Sequence, residues 1–274
     1  MKDQKKIQML ADWHIHTHFS GCSNDPEQNP AAIFRIAKET GLLAVGFADH
    51  LWQNPDKRVW PKDLRGVNTE IIDGVRREIA AAGTADGLKV YVGAEAEMTW
   101  LGGFCITREF AESLDFVLMP SNHIHQSYVP KPAERTKENY ISLLLERFAV
   151  CAKSGLVTIM AHPMLPYGAM EFFAPGILER PEQELIDTFG LAAERNVFFE
   201  VNRDHVMPKH SAEEAAVVKI LQCAKRAGCR FTFGSDAHHP AALFHTVEME
   251  EIAETAGLLQ SDFADIEEVA RRRV

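Results

Sequence analysis

The sequence lacks three features that would have pointed to particular classes of protein. No apolar run approaches the roughly 18 residues that a membrane span needs, and the stretch 7–10 is too short for a signal-peptide core. The five cysteines form no CxxC pair and are odd in number, which argues against a disulfide framework. Lys and Arg number 29 against 39 Asp and Glu, a net charge of −10, which argues against a broad cationic face for polynucleotides. We therefore expect a cytoplasmic protein that binds neither membranes nor polynucleotides.

What the chain does contain is a regular alternation of strands and helices. Strands are predicted at 7–13, 42–48, 89–94, 116–119, 156–160, 197–201 and 230–233. Helices are predicted at 30–40, 67–82, 134–153, 181–195, 212–227 and 247–256, with a further helical stretch at the acidic C-terminus. Such alternation implies a parallel sheet, and no repeat, low-complexity tract or linker divides the chain. We expect an α/β protein with one domain, residues 1–274, folded as a barrel of seven parallel strands.

Metal-binding residue types follow almost every predicted strand. They are Asp12, His14 and His16, then Asp49 and His50, Glu95, His123, His162, and finally Asp236 and His238. Barrel enzymes place their chemistry at the C-terminal ends of the strands, where residues distant in sequence converge. His14 and His16 are two residues apart on a strand, so both side chains point to one face, as a shared metal requires. Asp12 is on that face too and could orient a ligand.

Because side chains two residues apart on a strand point to the same face, two of the candidate ligands have an alternative at the next position on that face. Glu97 has the same parity as Glu95, and His125 has the same parity as His123. His18 also falls on the face of the first histidine pair, but it lies past the predicted strand end, where a solvent-exposed loop histidine is the simpler interpretation.

Taken together, these residues resemble the motifs of the polymerase and histidinol phosphatase (PHP) family. The matching motifs, in the family's order, are Asp12-x-His14-x-His16-Thr17, Asp49-His50, Gly93-x-Glu95, Ser121-x-His123, His162-Pro163, Glu200-x-Asn202 and Gly234-Ser-Asp236-x-His238. They run through nearly the whole chain. The resemblance implies a distorted (β/α)7 TIM-like barrel with a three-metal site for phosphate-ester hydrolysis, and the chain's size is most similar to stand-alone histidinol-phosphatase-type members.

The resemblance also implies how two to three divalent metal ions (Zn, Mn or Fe) would be held. The first would be bound by His14, His16, Glu95 and Asp236, the second by Glu95 as a bridge with His123 and His162, and the third by His50 and His238 with Cys22. Cys22 departs from the family pattern, which often has His or Asp there. A thiolate is a good ligand for zinc and a poor one for magnesium or manganese. The alternatives are a weak or absent third metal, or Asp25 in that role.

The implied reaction is hydrolysis of a small phosphorylated substrate, similar to histidinol phosphate, by metal-activated hydroxide. Glu95 and Asp236 would serve catalysis through the metals, and Arg203 would bind the phosphate as a bidentate fork, although a surface salt bridge with Asp204 is an equally simple interpretation. The loops 51–66 and 127–135 would frame the mouth, with aromatic and cationic side chains for the leaving group: Trp52, Trp60, Tyr128, Lys131 and Arg135. Nucleotides and sugar phosphates remain alternative substrates.

Two other classes of protein stay open. An amidohydrolase-type hydrolase also opens with His-x-His, but it normally has an eighth strand and often a carbamylated lysine where Glu95 stands here. A non-catalytic partner-binding module would be expected to lose ligand residues, whereas this chain keeps nearly all of them. The sequence says nothing of the oligomeric state.

Overall fold

The computed structural model describes residues 6–23, 25–53, 68–83, 87–99 and 102–271. The strands are β1 (Ala11–Ile15), β2 (Ala44–Phe47), β3 (His50–Leu51), β4 (Lys89–Val92), β5 (Ala94–Ala96), β6 (Val117–Met119), β7 (Ile159–Met160), β8 (Phe198–Asn202) and β9 (Phe231–Gly234). The helices are α1 (Pro30–Thr40), α2 (Thr69–Ala82), α3 (Arg108–Ala111), α4 (Lys137–Lys153), α5 (Phe173–Glu179), α6 (Glu182–Glu194), α7 (Ala212–Arg226), α8 (Thr246–Thr255) and α9 (Ile266–Arg271). Within these ranges, no helix is both long and apolar enough to cross a membrane.

The strands pair in parallel throughout, in two sheets. One has the order β1-β2-β4 and the other β3-β5-β6-β7-β8-β9. The chain passes from the first sheet to the second twice, between β2 and β3 and between β4 and β5. The prediction of a mixed α/β fold with parallel strands is confirmed, whereas strand pairing among the described residues does not form a single closed sheet.

The strand predicted at 89–94 is divided in the structure, at Gly93. Its N–H donates to Phe47 O of β2 at 2.9 Å, after which the chain joins the second sheet as β5. A Cβ at this position would lie 2.6 Å from Phe116 O. Only glycine therefore allows the backbone to approach this carbonyl at the point where the sheets separate.

The first predicted strand, 7–13, is shifted toward the C-terminus and appears as β1. The N–H groups of Ile7 and Met9 donate to Glu254 Oε1 and Glu250 Oε1 of α8, at 2.9 and 2.8 Å. Both apolar side chains are buried. The apolar residues there are buried in the core, but the backbone donors are satisfied by carboxylates instead of a neighbouring strand.

The six predicted helices are observed as α1, α2, α4, α6, α7 and α8 with small differences at their ends, and α9 occupies the acidic C-terminal stretch. Asn29 caps α1 by accepting from Ala32 N at 3.1 Å, and Gly41 follows it with φ of 80°, a standard helix start and stop. The short helices α3 and α5 were not predicted. All five cysteines are free.

A seam of hydrogen bonds joins β1 to the chain that follows β9. Asp236 N donates to His14 O at 2.8 Å, and His16 N donates to Ala237 O at 3.0 Å. The buried Gln28 amide donates to His16 O and Ala237 O, at 2.7 and 3.0 Å. These bonds hold β1 and the segment after β9 together, and they fix the backbone on which several of the predicted ligands lie.

Candidate metal centre

All nine side chains predicted to bind metal lie in one cluster beside a cavity of about 380 Å³. The cluster sits at the C-terminal ends of the parallel strands, as the alternation of elements predicts. β1 supplies His14 and continues into His16, β3 begins with His50, β5 carries Glu95, and His123, His162, Asp236 and His238 follow β6, β7 and β9. Cys22 comes from the loop between β1 and α1 and is exposed at the cavity edge.

Glu95 lies at the centre of this cluster and faces imidazole nitrogens with both oxygens. The distances are 2.7 Å from Oε2 to His50 Nδ1, 3.5 Å to His16 Nε2 and 3.7 Å to His14 Nε2, and 3.2 Å from Oε1 to His162 Nε2 and 4.0 Å to His123 Nε2. The carboxylate is almost completely buried. A single carboxylate shared by several histidines has the geometry of a bridging ligand.

Four of these histidines are anchored through Nδ1 and direct Nε2 into the cluster. The Nδ1 partners are Glu200 Oε1 for His14 at 2.9 Å, Ser20 Oγ for His16 at 3.0 Å, Glu97 Oε1 for His123 at 3.0 Å, and Asn122 Oδ1 for His162 at 2.9 Å. Each partner can accept a hydrogen bond from Nδ1–H, which leaves the Nε2 lone pair free for a cation. Such outer partners are characteristic of histidines that ligate metals.

Asp236 closes the cluster from the side of β9. Its Oδ1 lies 3.0 Å from His16 Nε2 and 3.4 Å from His14 Nε2. Its φ is 52°, and His162 also has a positive φ, of 28°. Non-glycine residues in this region are uncommon and often occur at functional sites.

Gly234 shows how closely the residues below this turn pack. A Cβ there would lie 1.9 Å from Glu200 Oε1, the oxygen that binds His14 Nδ1. A larger residue would therefore displace the anchor of the first histidine.

Burial and charge shift the ionisation of this cluster in opposite directions. Burial raises the pKa of Glu95, but positive charge at His50 and His14 lowers it by more, so the pKa falls well below its ordinary value. Burial lowers the pKa of His14, while Asp236 and Glu200 raise it to well above its ordinary value. Carboxylates that must be balanced by positive charge in a buried setting fit a cation-binding site.

Four groups of side chains offer donor atoms within 4.8 Å of one another. They are His14, His16 and Glu95; His14, His162 and Asp236; Glu95, His123 and His162; and His16, Cys22, His50 and His238. The second and third ligand sets implied by the family resemblance each lie within one group, and His16 joins the third. The first set is divided between two groups, because Asp236 is grouped with His14 and His162.

The residues present fit divalent metal ions by one further observation. His50 Nδ1 and Glu95 Oε2 are enclosed and only 2.7 Å apart, yet within the described ranges neither makes a hydrogen bond of acceptable geometry. Two buried polar atoms left without a bond are costly. Once His50 loses its proton, lone pairs on both atoms can be shared by a cation, which would remove that cost.

Cys22 has the chemistry of a ligand in addition to the position. Enclosure by the protein raises the pKa of its thiol, but hydrogen bonds with His238 and His50 lower it by more, so that the pKa is about 7. Burial and the charge of His238 lower the pKa of His16 to about 3. A thiol that ionises near neutrality, close to the neutral imidazole of His16, is suited to a thiophilic metal. Asp25, the alternative to Cys22, is in none of the ligand groups found among the described residues.

Glu97 is a buried neighbour of the metal cluster with a different role from Glu95. Its Oε1 accepts from His123 Nδ1, and its Oε2 accepts from Tyr128 Oη at 3.0 Å. Parity indicated that Glu97 shares the face of Glu95, but could not show that it anchors a histidine.

Asp49 also acts through a neighbour. It accepts from Ser20 Oγ at 2.6 Å, and Ser20 in turn holds His16. Asp12 accepts from His14 N and Ser235 N at 3.1 and 3.0 Å, so it supports the backbone of the site.

The other candidate site residues are more widely spaced than the nine predicted metal ligands. Arg203 is 41% exposed in its side chain and lies 3.6 Å from Asp204, whose carboxylate lines the cavity and accepts from Tyr167 Oη at 2.7 Å. His125 lines the cavity mouth. His18 pairs with Glu78 away from the cluster, at 3.3 Å.

The loop residues proposed for the leaving group mostly have other contacts. Trp52 is buried against Tyr128, with ring centroids 4.9 Å apart. Lys131 donates to the carbonyls of Gln126 and Val129. Arg135 pairs with Glu171 at 2.6 Å. Trp60 and the rest of the predicted mouth loop, 54–66, lie outside the described residues.

Comparisons with known proteins agree with this picture at the level of fold and relatives. No family model matches the chain. It is 26% identical over 251 residues to a protein of Shewanella pealeana named probable phosphatase, covering 91% of this chain and 86% of that one. A protein of the same name from Shewanella halifaxensis gives the same figures, and one from Photobacterium profundum is 26% identical over 255 residues, covering 88% and 84%.

A solved structure extends the comparison to three dimensions. The crystal structure of a candidate histidinol phosphatase from Listeria monocytogenes superposes with a TM-score of 0.60, covering 86% of this chain and 97% of that one. Its sequence is 14% identical, so the likeness shows a shared fold and nothing more.

Proposed function

We propose that the protein is a metal-dependent phosphoesterase of the PHP type that hydrolyses a small phosphomonoester. The observation that carries this proposal is the convergence of four Nδ1-anchored histidines on the carboxylates of Glu95 and Asp236. The names of the relatives from Shewanella and Photobacterium support a phosphatase. We also propose that the two sheets act as one distorted seven-stranded barrel, in which β2 with β3 and β4 with β5 each count as one strand. The hydrogen-bonded seam between β1 and the chain after β9 supports this proposal.

Two carboxylate-containing centres would form the core of the site. The first would use His14, His16, Glu95 and Asp236, and the second Glu95, His123 and His162. Because Glu95 faces both groups with separate oxygens, it would be the shared ligand.

A third centre would use Cys22, His50 and His238, with His16 nearby. This set contains sulfur and nitrogen donors and no carboxylate, so it favours zinc, while the carboxylate-containing core also suits manganese or iron. We propose two tightly bound metals and a third that binds more weakly.

Divalent metal ions in such a cluster lower the pKa of bound water and neutralise charge on a phosphoryl group. The side chains of this protein would orient the ligands. Glu200, Ser20, Glu97 and Asn122 each hold one histidine ring in the orientation that turns Nε2 inward. Because these anchors are buried, the histidine rings are preorganised before a substrate binds. Preorganised groups stabilise developing charge without a reorganisation cost during the reaction.

Arg203 is proposed to bind the phosphate of the substrate, with its neighbour Asp204 at the cavity wall. Its side chain is partly exposed and follows β8 at the same end of the fold as the cluster. Guanidinium is the natural partner for a phosphate dianion. The small cavity and the acidic chain favour a small phosphomonoester, with histidinol phosphate as the leading candidate, over a polynucleotide.

Metal analysis of the purified protein, combined with a screen of phosphomonoesters, tests the proposal. The panel should include histidinol phosphate, sugar phosphates, nucleotides and single-stranded DNA. We expect at least two divalent ions per chain and phosphate release from a small monoester that is lost with a chelator and restored by metal. A folded protein that binds no divalent ion would refute the metal site, and faster, salt-sensitive cleavage of the DNA would refute the substrate class alone.

A further inference from the structure

A single buried arginine joins two of the segments that carry the metal cluster. Arg147 projects from α4, and its side chain is almost completely buried. Its Nε donates to Ser121 O at 2.6 Å, Nη1 donates to Thr99 O at 2.7 Å, and Nη2 donates to Met98 O at 2.7 Å. All three acceptors are main-chain carbonyls.

These carbonyls lie directly beside residues of the site. Met98 O and Thr99 O belong to the segment after β5, immediately following Glu97, and Ser121 O belongs to the segment after β6 that leads to His123. Glu97 and His123 are themselves joined by a hydrogen bond of 3.0 Å. The guanidinium therefore holds the backbones of the same two segments that this side-chain bond connects.

The three hydrogen bonds of Arg147 are of a kind that fixes the positions of backbone segments. Burying a guanidinium is costly. Within the described ranges, no carboxylate oxygen lies close enough to the Arg147 guanidinium, at 4.0 Å or less, to form an ion pair with it. The planar fork instead satisfies its donors with three fixed carbonyls, whose relative positions it then determines. Arg230 offers a contrast, since it donates to Asp262 O and Phe263 O but also pairs with Glu268 at 3.2 Å, at the opposite, N-terminal end of β9.

We propose that Arg147 is a positioning residue for the second metal centre. By fixing the segments after β5 and β6 relative to each other, it places Glu97 where it orients His123, and thereby turns His123 Nε2 toward Glu95. This inference rests on the metal-binding part of the proposed function and is independent of the substrate.

The effect is specific to one side of the cluster. His14, His16 and Asp236 are positioned by the seam between β1 and the chain after β9, to which Arg147 makes no hydrogen bond. A positioning role therefore predicts that the second centre weakens while the first is preserved. A general loss of stability would weaken both.

The test is a metal titration of the metal-free protein by calorimetry with Mn²⁺, comparing wild type with Arg147→Met. Methionine keeps an apolar stem of similar length and removes the three donors. We expect one core site to keep its affinity and one to weaken about 10–100-fold, the usual cost of losing an outer partner. Arg230→Met is the matched control, because it also removes donors to carbonyls but should leave both core affinities unchanged.

Two further variants decide the outcome if the methionine variant fails to fold. Arg147→Lys keeps a charge but cannot reach three carbonyls with one fork, so it should weaken the same core site to a lesser degree. Glu97→Gln should weaken that site too, and its combination with Arg147→Lys should be less than additive, since both act through His123. Equal weakening of both core sites, wild-type affinities in a folded Arg147 variant, or strict additivity would each overturn the inference. Wild-type protein that binds no metal would instead refute the proposed function.

Discussion

Replacing Glu95 by glutamine is the most demanding perturbation of this site, because the shape is kept and one charge is removed. The wild-type oxygens face five imidazoles, the nearest being His50 Nδ1 at 2.7 Å and His162 Nε2 at 3.2 Å. A glutamine would present an amide NH₂ to one side of the cluster. That group donates and cannot ligate a cation, so Glu95→Gln should deprive at least one core metal of its shared ligand and weaken the other.

The size of the effect follows from the role of the bridge. If both core metals are needed to activate water, their loss should reduce kcat/KM by three to four orders of magnitude or more, or about 4–6 kcal/mol in the transition state. In the metal-free protein a second effect is expected. Glu95 is among the charges that hold the pKa values of His14 and His50 well above the ordinary value, so both histidines should lose protons at lower pH in the variant.

The assay is metal content by mass spectrometry beside phosphatase kinetics, with Glu97→Gln as the matched control. Glu97 is two residues away and equally buried, but its closest imidazole contact is the Nδ1 of His123, which it anchors at 3.0 Å, and His50 Nδ1 is farther away at 3.7 Å. Its replacement should cost about 10–100-fold. If Glu97 proves essential and Glu95 dispensable, the assignment of the bridge to Glu95 is wrong.

Three further predictions concern single side chains. Alkylation of Cys22 in the metal-free protein should be half-maximal near pH 7 and slowed by Zn²⁺ but not by Mg²⁺. Buried Cys151, with a pKa of about 12, should stay unmodified. Mass spectrometry measures both, and modification of Cys151 before Cys22 would contradict the prediction. Burial raises the folded pKa of Asp12 from 3.8 to about 6, so its protonated form is favoured by folding, and stability should fall by about 3 kcal/mol as pH rises through this window. Denaturation of metal-free Asp12→Asn at several pH values should lack that fall, and an unchanged pH dependence would contradict the argument. Arg203→Ala should raise KM or lower kcat/KM for phosphomonoesters with metal content unchanged, and loss of metal would reassign the residue.

The parallel pairing of the strands and the clustering of the candidate ligands could be predicted because they depend on simple periodicities. Strands followed by helices imply parallel pairing, and parallel pairing collects the C-terminal ends of strands on one side. His14 and His16 illustrate this, since their spacing alone places both side chains on one face of β1. The positions of the metal-binding residue types therefore followed from local sequence.

The division of the strands into two sheets could not be predicted in this way. It involves Gly93, where a Cβ would meet Phe116 O at 2.6 Å, and that contact joins residues 23 positions apart in the sequence. Nor do the apolar residues at 7–10 distinguish a strand from a segment whose N–H groups are satisfied by α8. In both cases the deciding interaction is long-range, and a pattern within one element carries no information about it.

The same limit explains why parity could locate two carboxylates but could not assign their roles. Glu95 and Glu97 point to the same side of one chain segment, and every local rule treats them alike. What separates them is which imidazole nitrogen each one meets: Glu95 faces Nε2 of four histidines, whereas Glu97 meets Nδ1 of His123. At His123 the two roles are distinct: Glu95 Oε1, opposite Nε2, could share a cation with the ring, whereas Glu97 Oε1, opposite Nδ1, holds the ring in its orientation. The orientation of each ring is fixed by residues from other strands, so the roles of the two glutamates are set by the assembled fold.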